Sequence, residues 1–510
     1  MNARRIFIHK IIYLVAIGVL LVPLFWLGRP ATHARNRAEG SPGGRLAQLR
    51  AENGLSAADL GEIDPTSQTI KLATLGFRGV AANILWTKAN EYKMKKDWTN
   101  LAATLNQIIK LQPNFITVWR HQAWNLSYNV SVEFDDYRQR YRWVIRGIEF
   151  LKRGVTYNQK SPKILSDTGW FIAQKIGRAD EKKEFRELFK QDDEFHGNRP
   201  IDERDNWLVG RDWFIKAEDL VDNKGVPISG NSPLIFRSQA PMCLINYADA
   251  IEADGIFGAK AQAAWKNACD HWEEYGRVDI PTSDGTMIRL GEYEELIDRL
   301  LATVKRLNDL EPGLFVGLLR DKAQTLSPEQ LEALQVPAPA RTPEQQERVR
   351  EAGDAVQLSY MDVANAIKGA QHAEAVKLAE AAQRLEDDVN SIRRYRSIVN
   401  YEYWWLRSNV EQMLETLNAR ETVFNADEAL AEGDLQTAKQ AYTAGLQMWR
   451  GVLNQFPPLI ADKTVGDDLM DVIKRYGKLL GQLDEPFPDP FILQDVVNAH
   501  WDQDSPIPKK

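Results

Sequence analysis

The sequence predicts an all-α protein whose body is built from paired helices behind an N-terminal membrane helix. Three observations lead to this prediction. A run of 17 apolar or small residues lies near the start, strand-like alternation is scarce, and packing positions recur after 34 residues. The length of 510 residues allows two or more structural units, and the 44% hydrophobic content can supply their cores.

The first element is the apolar run from Ile11 to Leu27, which predicts a transmembrane anchor over residues 1–28. A cleaved signal peptide with a site at Thr32-His33-Ala34 is the alternative, but the run is longer than the usual apolar core of about 7–15 residues. Basic residues flank both ends, so charge does not decide the orientation. We expect an extracytoplasmic body because N-terminal anchors commonly place it there.

Charge is distributed unevenly along the chain. The net charge is −7, but the first 50 residues carry eight Arg or Lys and one Glu, which leaves −14 for the remainder. An acidic body argues against nucleic acid as the main partner, because phosphate binding needs a basic surface. Residues 29–66 are rich in Gly, Ala and Arg, which predicts a flexible tether between the anchor and the body.

A helical domain is predicted over residues 67–310, and its first repeat runs from Leu85 to Pro113. This stretch divides into two short helices around Lys96-Asp97, and Pro113 stops the second one. Its packing positions are Ala89, Tyr92, Trp98, Leu101, Leu105, Ile108 and Leu111. The next helix repeats the pattern, because Trp119, Ala123 and Leu126 follow Leu85, Ala89 and Tyr92 by 34 residues each. These three residues lie on one helical stripe.

A second strong unit is ADEALAEGDLQTAKQAYTAGL, from Ala426 to Leu446, with a turn at Gly433-Asp434. Weaker units are expected at 247–269, 361–385 and 142–177. These units resemble the tetratricopeptide repeat family, in which helix pairs of 34 residues stack into an α-solenoid with a concave groove. The stretches LGFRGVAANILWTKA and WNLSYNVSVEFDDY also resemble uncharacterised membrane-anchored repeat proteins of bacteria.

A different pattern runs from Ile392 to Phe424, where apolar residues are spaced by seven: Ile392, Val399, Leu406 and Met413, and again Tyr403, Val410, Leu417 and Phe424. The spacing predicts a heptad seam on one long helix. Packing against a neighbouring helix pair within the chain is the simpler interpretation. The alternative is a structural oligomer joined through this helix.

Two helix starts mark a predicted boundary in the body. Ser327-Pro328-Glu329-Gln330 and Thr342-Pro343-Glu344-Gln345 both place a hydroxyl at the cap, Pro at the first helical position and Gln three residues after the cap, which predicts capping boxes. We therefore assign 311–345 to a linker with short capped helices and 346–482 to a C-terminal helical domain. Residues 483–510 form a Pro-rich tail with a short helix inside it.

Signatures of enzymes are missing from the sequence, and we expect no catalytic activity, metal or cofactor. A phosphate-binding glycine loop, a dinucleotide fingerprint, a zinc-protease motif and a nucleophile elbow are all absent. Only two cysteines occur, Cys243 and Cys269, and two unpaired thiols are the simplest interpretation. The enzymatic alternative is a metal or acid–base site in the acidic stretch QDDEFHGNRPIDERDNW (191–207), with its acids between Asp192 and Asp205. A solvated acidic loop between helices is the simpler interpretation, because no spacing there matches a known metal site.

The tetratricopeptide resemblance implies a peptide-binding face on the first helices of the pairs. On that template Trp86, Asn90, Arg120, His121, Trp124 and Tyr128 face the concave groove. Aromatic and Arg side chains suit such an interface because they bury a large area with few rotatable bonds. Asn90 and Arg120 match the family's clamp for a C-terminal carboxylate only in part. We therefore expect a membrane-anchored scaffold or adaptor that holds protein or peptide partners.

Overall fold

The computed structural model describes residues 3–29, 43–52, 78–228, 230, 232–283, 285–502 and 504–507. Within these ranges the chain forms 23 α-helices and one antiparallel pair of two-residue strands, which confirms the predicted all-α class. Most of the predicted tether and residues 67–77, the start of the predicted helical domain, lie outside the described ranges. The chain divides into two compact units, Met1–Ala268 with Val410–Lys510, and Cys269–Asn409.

The first unit contains most of the predicted repeats. Its N-terminal part holds α1 (Ala3–Gly28), α2 (Arg45–Glu52), α3 (Arg78–Met94), α4 (Trp98–Leu111), α5 (Ile116–Trp124), α6 (Tyr137–Tyr157), α7 (Pro162–Trp170), α8 (Lys182–Gln191), α9 (Asp193–His196), α10 (Asn206–Asp222), α11 (Pro233–Ala253) and most of α12 (Gly258–Gly276). Two π-helical segments, Asn125–Val130 and Phe171–Lys175, follow α5 and α7 directly.

One helix of the described chain, α1, is long and apolar enough to cross a membrane. The stretch Lys10–Gly28 has a mean hydropathy of 2.5, and none of it is buried within the protein. Pro23 lies inside this helix. Helix α2 lies within the residues predicted as a flexible tether, so Arg45–Glu52 of that stretch is helical.

The helix pair α3–α4 forms where the sequence predicts it. Lys96 adopts a positive φ of 54°, which ends α3 locally, and the Asp97 side chain accepts a hydrogen bond from the Asn100 amide to cap α4. Helix α4 ends at Leu111, before Pro113. The apolar side of α4, with Leu101, Leu105 and Ile108 among its residues, is fully buried.

The next pair, α5–α6, is organised around Trp119. The Trp119 indole is fully buried, stacks on Tyr157 at 5.8 Å and donates a 2.7 Å hydrogen bond to the Pro113 carbonyl. Ala123 is also fully buried, as predicted. Leu126 is only half-buried because it lies in the π-helical segment that follows α5. The predicted packing stripe is thus confirmed for its first two positions.

The second unit, Cys269–Asn409, contains the end of α12, the strands β1 (Ile280–Pro281) and β2 (Met287–Ile288), and a further set of helices. These are α13 (Tyr293–Asp309), α14 (Leu314–Ala323), α15 (Pro328–Gln335), α16 (Pro343–Val356), α17 (Tyr360–Ala366), α18 (His372–Ile398) and most of α19 (Tyr401–Glu411). Both predicted capping boxes are confirmed, at the starts of α15 and α16. The predicted linker 311–345 lies inside this unit.

The C-terminal part of the first unit holds α20 (Leu414–Glu432), α21 (Leu435–Gln455), α22 (Lys463–Gln482) and α23 (Gln494–His500). The turn between α20 and α21 confirms the prediction, because Gly433 has φ +82° and Asp434 caps α21 by accepting from the Thr437 amide. The predicted packing positions on α21, Tyr442 and Leu446 among them, are buried.

The single long helix predicted from Ile392 to Phe424 is wrong. Helix α18 ends at Ile398, and Asn400 adopts a left-handed φ of 48°, a conformation that Asn tolerates better than most residues. Helix α19 ends at Glu411, and Met413 is extended before α20 begins. Three helices therefore share the apolar spacing of seven, and no continuous helix is present to carry a heptad seam.

Neither cysteine forms a disulfide in the structure. Cys243 on α11 and Cys269 on α12 are both buried thiols. Burial of the Cys243 thiol raises its pKa, because the surrounding apolar side chains disfavour the thiolate. This thiol is therefore a poor nucleophile and packs as a small apolar group.

Candidate functional site

The predicted groove residues lie on α3, α5 and the π-helical segment Asn125–Val130. Trp86 of α3 meets His121 of α5 edge-on, with ring centres 5.8 Å apart. Trp124 stacks on Tyr128 at 5.7 Å with an angle of 16° between the rings. His121, Trp124 and Tyr128 are spaced by three and four, so they lie on one side of the chain. The Asn90 side chain is exposed and makes no hydrogen bond to another described residue.

The structure shows further aromatic residues and a lysine next to Tyr128 that the sequence analysis did not predict. Phe171 meets Tyr128 edge-on at 6.1 Å, and the Lys175 ammonium lies 4.1 Å from the centre of the Tyr128 ring. Trp170 meets Phe171 at 5.4 Å and is 40% exposed, while Trp124 is 42% exposed. We call Trp86, His121, Trp124, Tyr128 and Trp170 the aromatic face. It offers large apolar rings to solvent beside a cation.

Arg120 is tied to the next helix. Its Nε lies 2.5 Å from a carboxylate oxygen of Asp167 on α7. Burial raises the pKa of Asp167 because it disfavours the carboxylate, and the Arg120 charge opposes that effect. A ligand carboxylate would have to compete with Asp167 for this guanidinium. In the partial likeness to a carboxylate clamp through Asn90 and Arg120, the charge of Arg120 is therefore already partly balanced by Asp167.

His121 is held as a neutral ring. Its Nδ1 atom is buried and has no hydrogen-bond partner among the described residues. Burial lowers the pKa of His121, and the nearby positive charge of Lys93 lowers it further. At neutral pH the ring therefore adds surface and a polar nitrogen to the aromatic face, but no charge.

The two π-helical segments carry part of this surface, because Tyr128 lies in the first, and Phe171 and Lys175 lie in the second. Such segments place one additional residue in a turn and are common at functional sites. In the first, Asn125 and Ser127 are fully buried, and Ser127 donates to the Val144 carbonyl of α6 at 3.4 Å. Gly147 permits this approach, since a Cβ there would lie 2.1 Å from the Ser127 Oγ. Trp124, which directly precedes this segment, is exposed, whereas Tyr128 within it is half-buried against Phe171.

Sequence reasoning missed Trp170 and the π turns, although one signal was available. The tripeptide Trp-Phe-Ile occurs at residues 170–172 and again at 213–215. A tryptophan also precedes each π-helical segment, Trp124 the first and Trp170 the second. This recurrence places a tryptophan at the end of α5, at the end of α7 and within α10, and it could have drawn attention to Trp170.

The acidic stretch 191–207 is occupied by ion pairs and caps. Asp193 pairs with Arg204 at 2.6 Å, and Asp205 pairs with Arg186 at 3.2 Å. Asp192 accepts from the Tyr141 hydroxyl at 2.9 Å and caps α9. In the described ranges, which include this whole stretch, no group of three or more His, Cys, Asp or Glu side chains could hold a metal ion. Residues 191–207 therefore provide no metal site of the kind that the enzymatic alternative requires.

Comparison with known proteins adds no further assignment. No protein-family model matches the chain, and no curated protein matches it.

Proposed function

We propose that this protein is a membrane-anchored scaffold whose first unit is a tetratricopeptide-like α-solenoid that binds a peptide or helix of a partner protein on the aromatic face. The 34-residue recurrence between α3 and α5, the capped pair α3–α4 and the buried small residues of α20–α21 support the repeat assignment. The apolar stretch Lys10–Gly28 supports attachment to a membrane.

The observation that carries the binding proposal is the exposure of Trp124 and Trp170. Both indoles expose about two fifths of their surface, although their neighbours Tyr128 and Phe171 are packed. Rigid, exposed aromatic rings are costly in water and are enriched in the centres of protein interfaces. Lys175 beside Tyr128 gives such an interface a polar rim. An apolar side chain of a partner laid across these rings would bury them.

Site-specific crosslinking in the native membrane tests this proposal. A photoreactive amino acid replaces Trp124 in the full chain, and a second version carries it at Trp501, which is similarly exposed at 46%. We expect a defined protein crosslink from position 124 and none from position 501. The double substitution Trp124→Ala, Trp170→Ala should abolish co-purification of that protein, while Trp501→Ala should leave it intact. Equal crosslinking at both positions would refute the binding face.

A further inference from the structure

The exposed positions of α6 form a stripe of arginines. Six residues of this helix are exposed, at spacings of three and four that keep them on one side: Arg138, Arg142, Arg146, Glu149, Arg153 and Thr156. Four of the six are arginine, and only one is acidic. We call Arg138, Arg142, Arg146 and Arg153 the arginine stripe. At about 1.5 Å per residue it extends about 22 Å along the helix.

None of these four arginines pairs with a carboxylate of the described residues. Other arginines of the same unit behave differently. Arg140, on the buried side of α6, pairs with Glu181, and Arg186 of α8 pairs with Asp205. Four unpaired cations in a row stand out in a body whose net charge beyond residue 50 is −14. The stripe therefore exposes four positive charges to solvent on one side of α6.

Aromatic rings of α6 hold three of the guanidinium groups in place. Arg138 lies over Tyr137 at 4.6 Å, Arg146 over Trp143 at 4.6 Å and Arg153 over Phe150 at 4.9 Å. Stacking uses the flat surface of a guanidinium and leaves its N–H edges free. Those edges match two oxygens of a phosphate, and an arm that is already ordered loses less entropy on binding. The geometry thus favours phosphate groups as the ligand.

We propose that the arginine stripe binds the headgroups of anionic phospholipids and so lays α6 against the membrane. This inference depends on the membrane attachment in the proposed function, because the anchor keeps the stripe at a high effective concentration near lipid. Basic side chains are attracted to an anionic surface within a Debye length of it. Trp143, stacked on Phe134 at 5.9 Å beside the stripe, suits the interfacial region of a bilayer.

Nucleic acid is the other phosphate-bearing macromolecule, and the charge distribution disfavours it. A long polyanion would extend beyond the stripe onto a body that carries a net charge of −14. Lipid headgroups present separate phosphates that can gather under four arginines without extending further. The anchor also places the protein at a membrane already, so lipid is available without the recruitment of a further partner.

The test uses the full chain reconstituted in vesicles, with a fluorophore at Thr156→Cys, an exposed position on the same side of α6. The native cysteines are buried, so labelling is selective. Vesicles contain either phosphatidylcholine alone or a mixture with about one quarter phosphatidylglycerol, and both carry a headgroup quencher. We expect quenching in the anionic vesicles and little in the neutral ones, with loss of quenching at high salt.

Matched charge reversals identify the groups responsible. The triple substitution Arg138→Glu, Arg142→Glu, Arg146→Glu should reduce quenching to the level of neutral vesicles. Reversal of three exposed lysines of the same unit, Lys88, Lys95 and Lys96, changes the net charge equally and should leave most of the quenching. The proposal would be overturned by quenching that is equal with and without phosphatidylglycerol. It would also be overturned by quenching that is unchanged in the arginine-reversed chain.

Two further readouts separate this inference from the proposed function. Flotation of the arginine-reversed chain with neutral vesicles measures membrane attachment through α1 alone. A chain that does not float would show that α1 does not anchor the protein, whatever the arginine stripe does. Binding of a labelled RNA that requires the same arginines, without lipid-dependent quenching, would overturn the lipid assignment in favour of nucleic acid.

Discussion

A buried group of three charged side chains supports the sharpest prediction. Glu252 of α11 and Glu411 share Arg420 of α20, all within the first unit. The Arg420 Nε lies 2.6 Å from Glu411 and 3.6 Å from Glu252, and a second guanidinium nitrogen also bonds Glu411. Within this group one cation faces two anions, and Glu411 holds it bidentately. Glu252 is therefore the less compensated carboxylate.

The pKa of Glu252 is raised as a result. Burial is the largest cause, the charge of Glu411 adds to it, and Arg420 opposes it. The unfolded carboxyl loses its proton near its ordinary pKa of about 4.3, while the folded one keeps it to higher pH. Because the folded state then binds more protons, the stability contributed by this group falls as pH rises above that value.

We predict that Glu252→Gln stabilises the packing of α11 against α20 at pH about 8 and has little effect at pH about 5. The amide mimics the protonated acid, and its carbonyl can still accept the 2.5 Å hydrogen bond from the Trp265 indole. An attraction to Arg420 at 3.6 Å is lost, worth about 4–5 kcal/mol at an effective dielectric of about 20. The burial cost of the charge and its repulsion by Glu411 are lost too. We expect a net gain of about 1–3 kcal/mol.

Amide hydrogen exchange of the detergent-solubilised full chain measures this effect, with wild type and variant compared at each pH. Peptides from Leu414–Glu432 should exchange more slowly in the variant at the higher pH only. Glu411→Gln is the matched control, because it breaks the bidentate pair and should destabilise the same peptides by about 3–5 kcal/mol. If Glu252→Gln accelerates exchange, or changes it equally at both pH values, then Glu252 does not hold the proton.

Two further predictions concern the packing of α5 and the π-helical segment that follows it against α6. Gly147→Ala should lower the stability in a thermal melt by about 1–3 kcal/mol, because the new Cβ would lie 2.1 Å from the Ser127 Oγ. Gly451→Ala in α21 is the control, because open space surrounds Gly451, and it should be neutral or stabilising by up to about 1 kcal/mol. Equal shifts of the melting temperature in the two variants would contradict the close approach of Gly147 to Ser127. Trp119→Ala should cost about 3–5 kcal/mol in a denaturant titration, since it empties a fully buried site and removes the bond to the Pro113 carbonyl. A loss below about 1 kcal/mol would show that α5 and α6 are not held together by this indole.

Local signals in the sequence predicted the helix pairs well. Asp97 and Asp434 are strong cap residues placed just before apolar helical stripes, and the structure uses both as caps. The two capping boxes were found for the same reason, because the interactions that define them lie within four residues. Trp119 could be assigned to the core because a large apolar residue recurring at the repeat spacing has few other roles.

Features that depend on distant residues or on subtle backbone geometry were not predictable in this way. The spacing of seven from Ile392 to Phe424 arises because three separate helices each bury one side, and only Asn400 hinted at the break. A π turn has no characteristic composition, so the residues near Asn125 gave no sequence signal that predicts it. Arg120 was predicted to face a ligand, but Asp167, 47 residues later, lies beside it.

The buried charges also lie close to the point where the chain re-enters the first unit. Residues 269–409 belong to the second unit, and the first unit resumes at Val410, next to Glu411 in sequence. The entropic cost of closing such a loop grows only slowly with its length, so a modest interface can offset it. Phe424 supplies part of that interface by packing on Phe257 at 5.6 Å, and Arg420 adds the buried ion pair. Apolar contact provides the free energy, while the bidentate pair fixes the register of α20, because a guanidinium displaced by one turn would leave Glu411 buried without its cation.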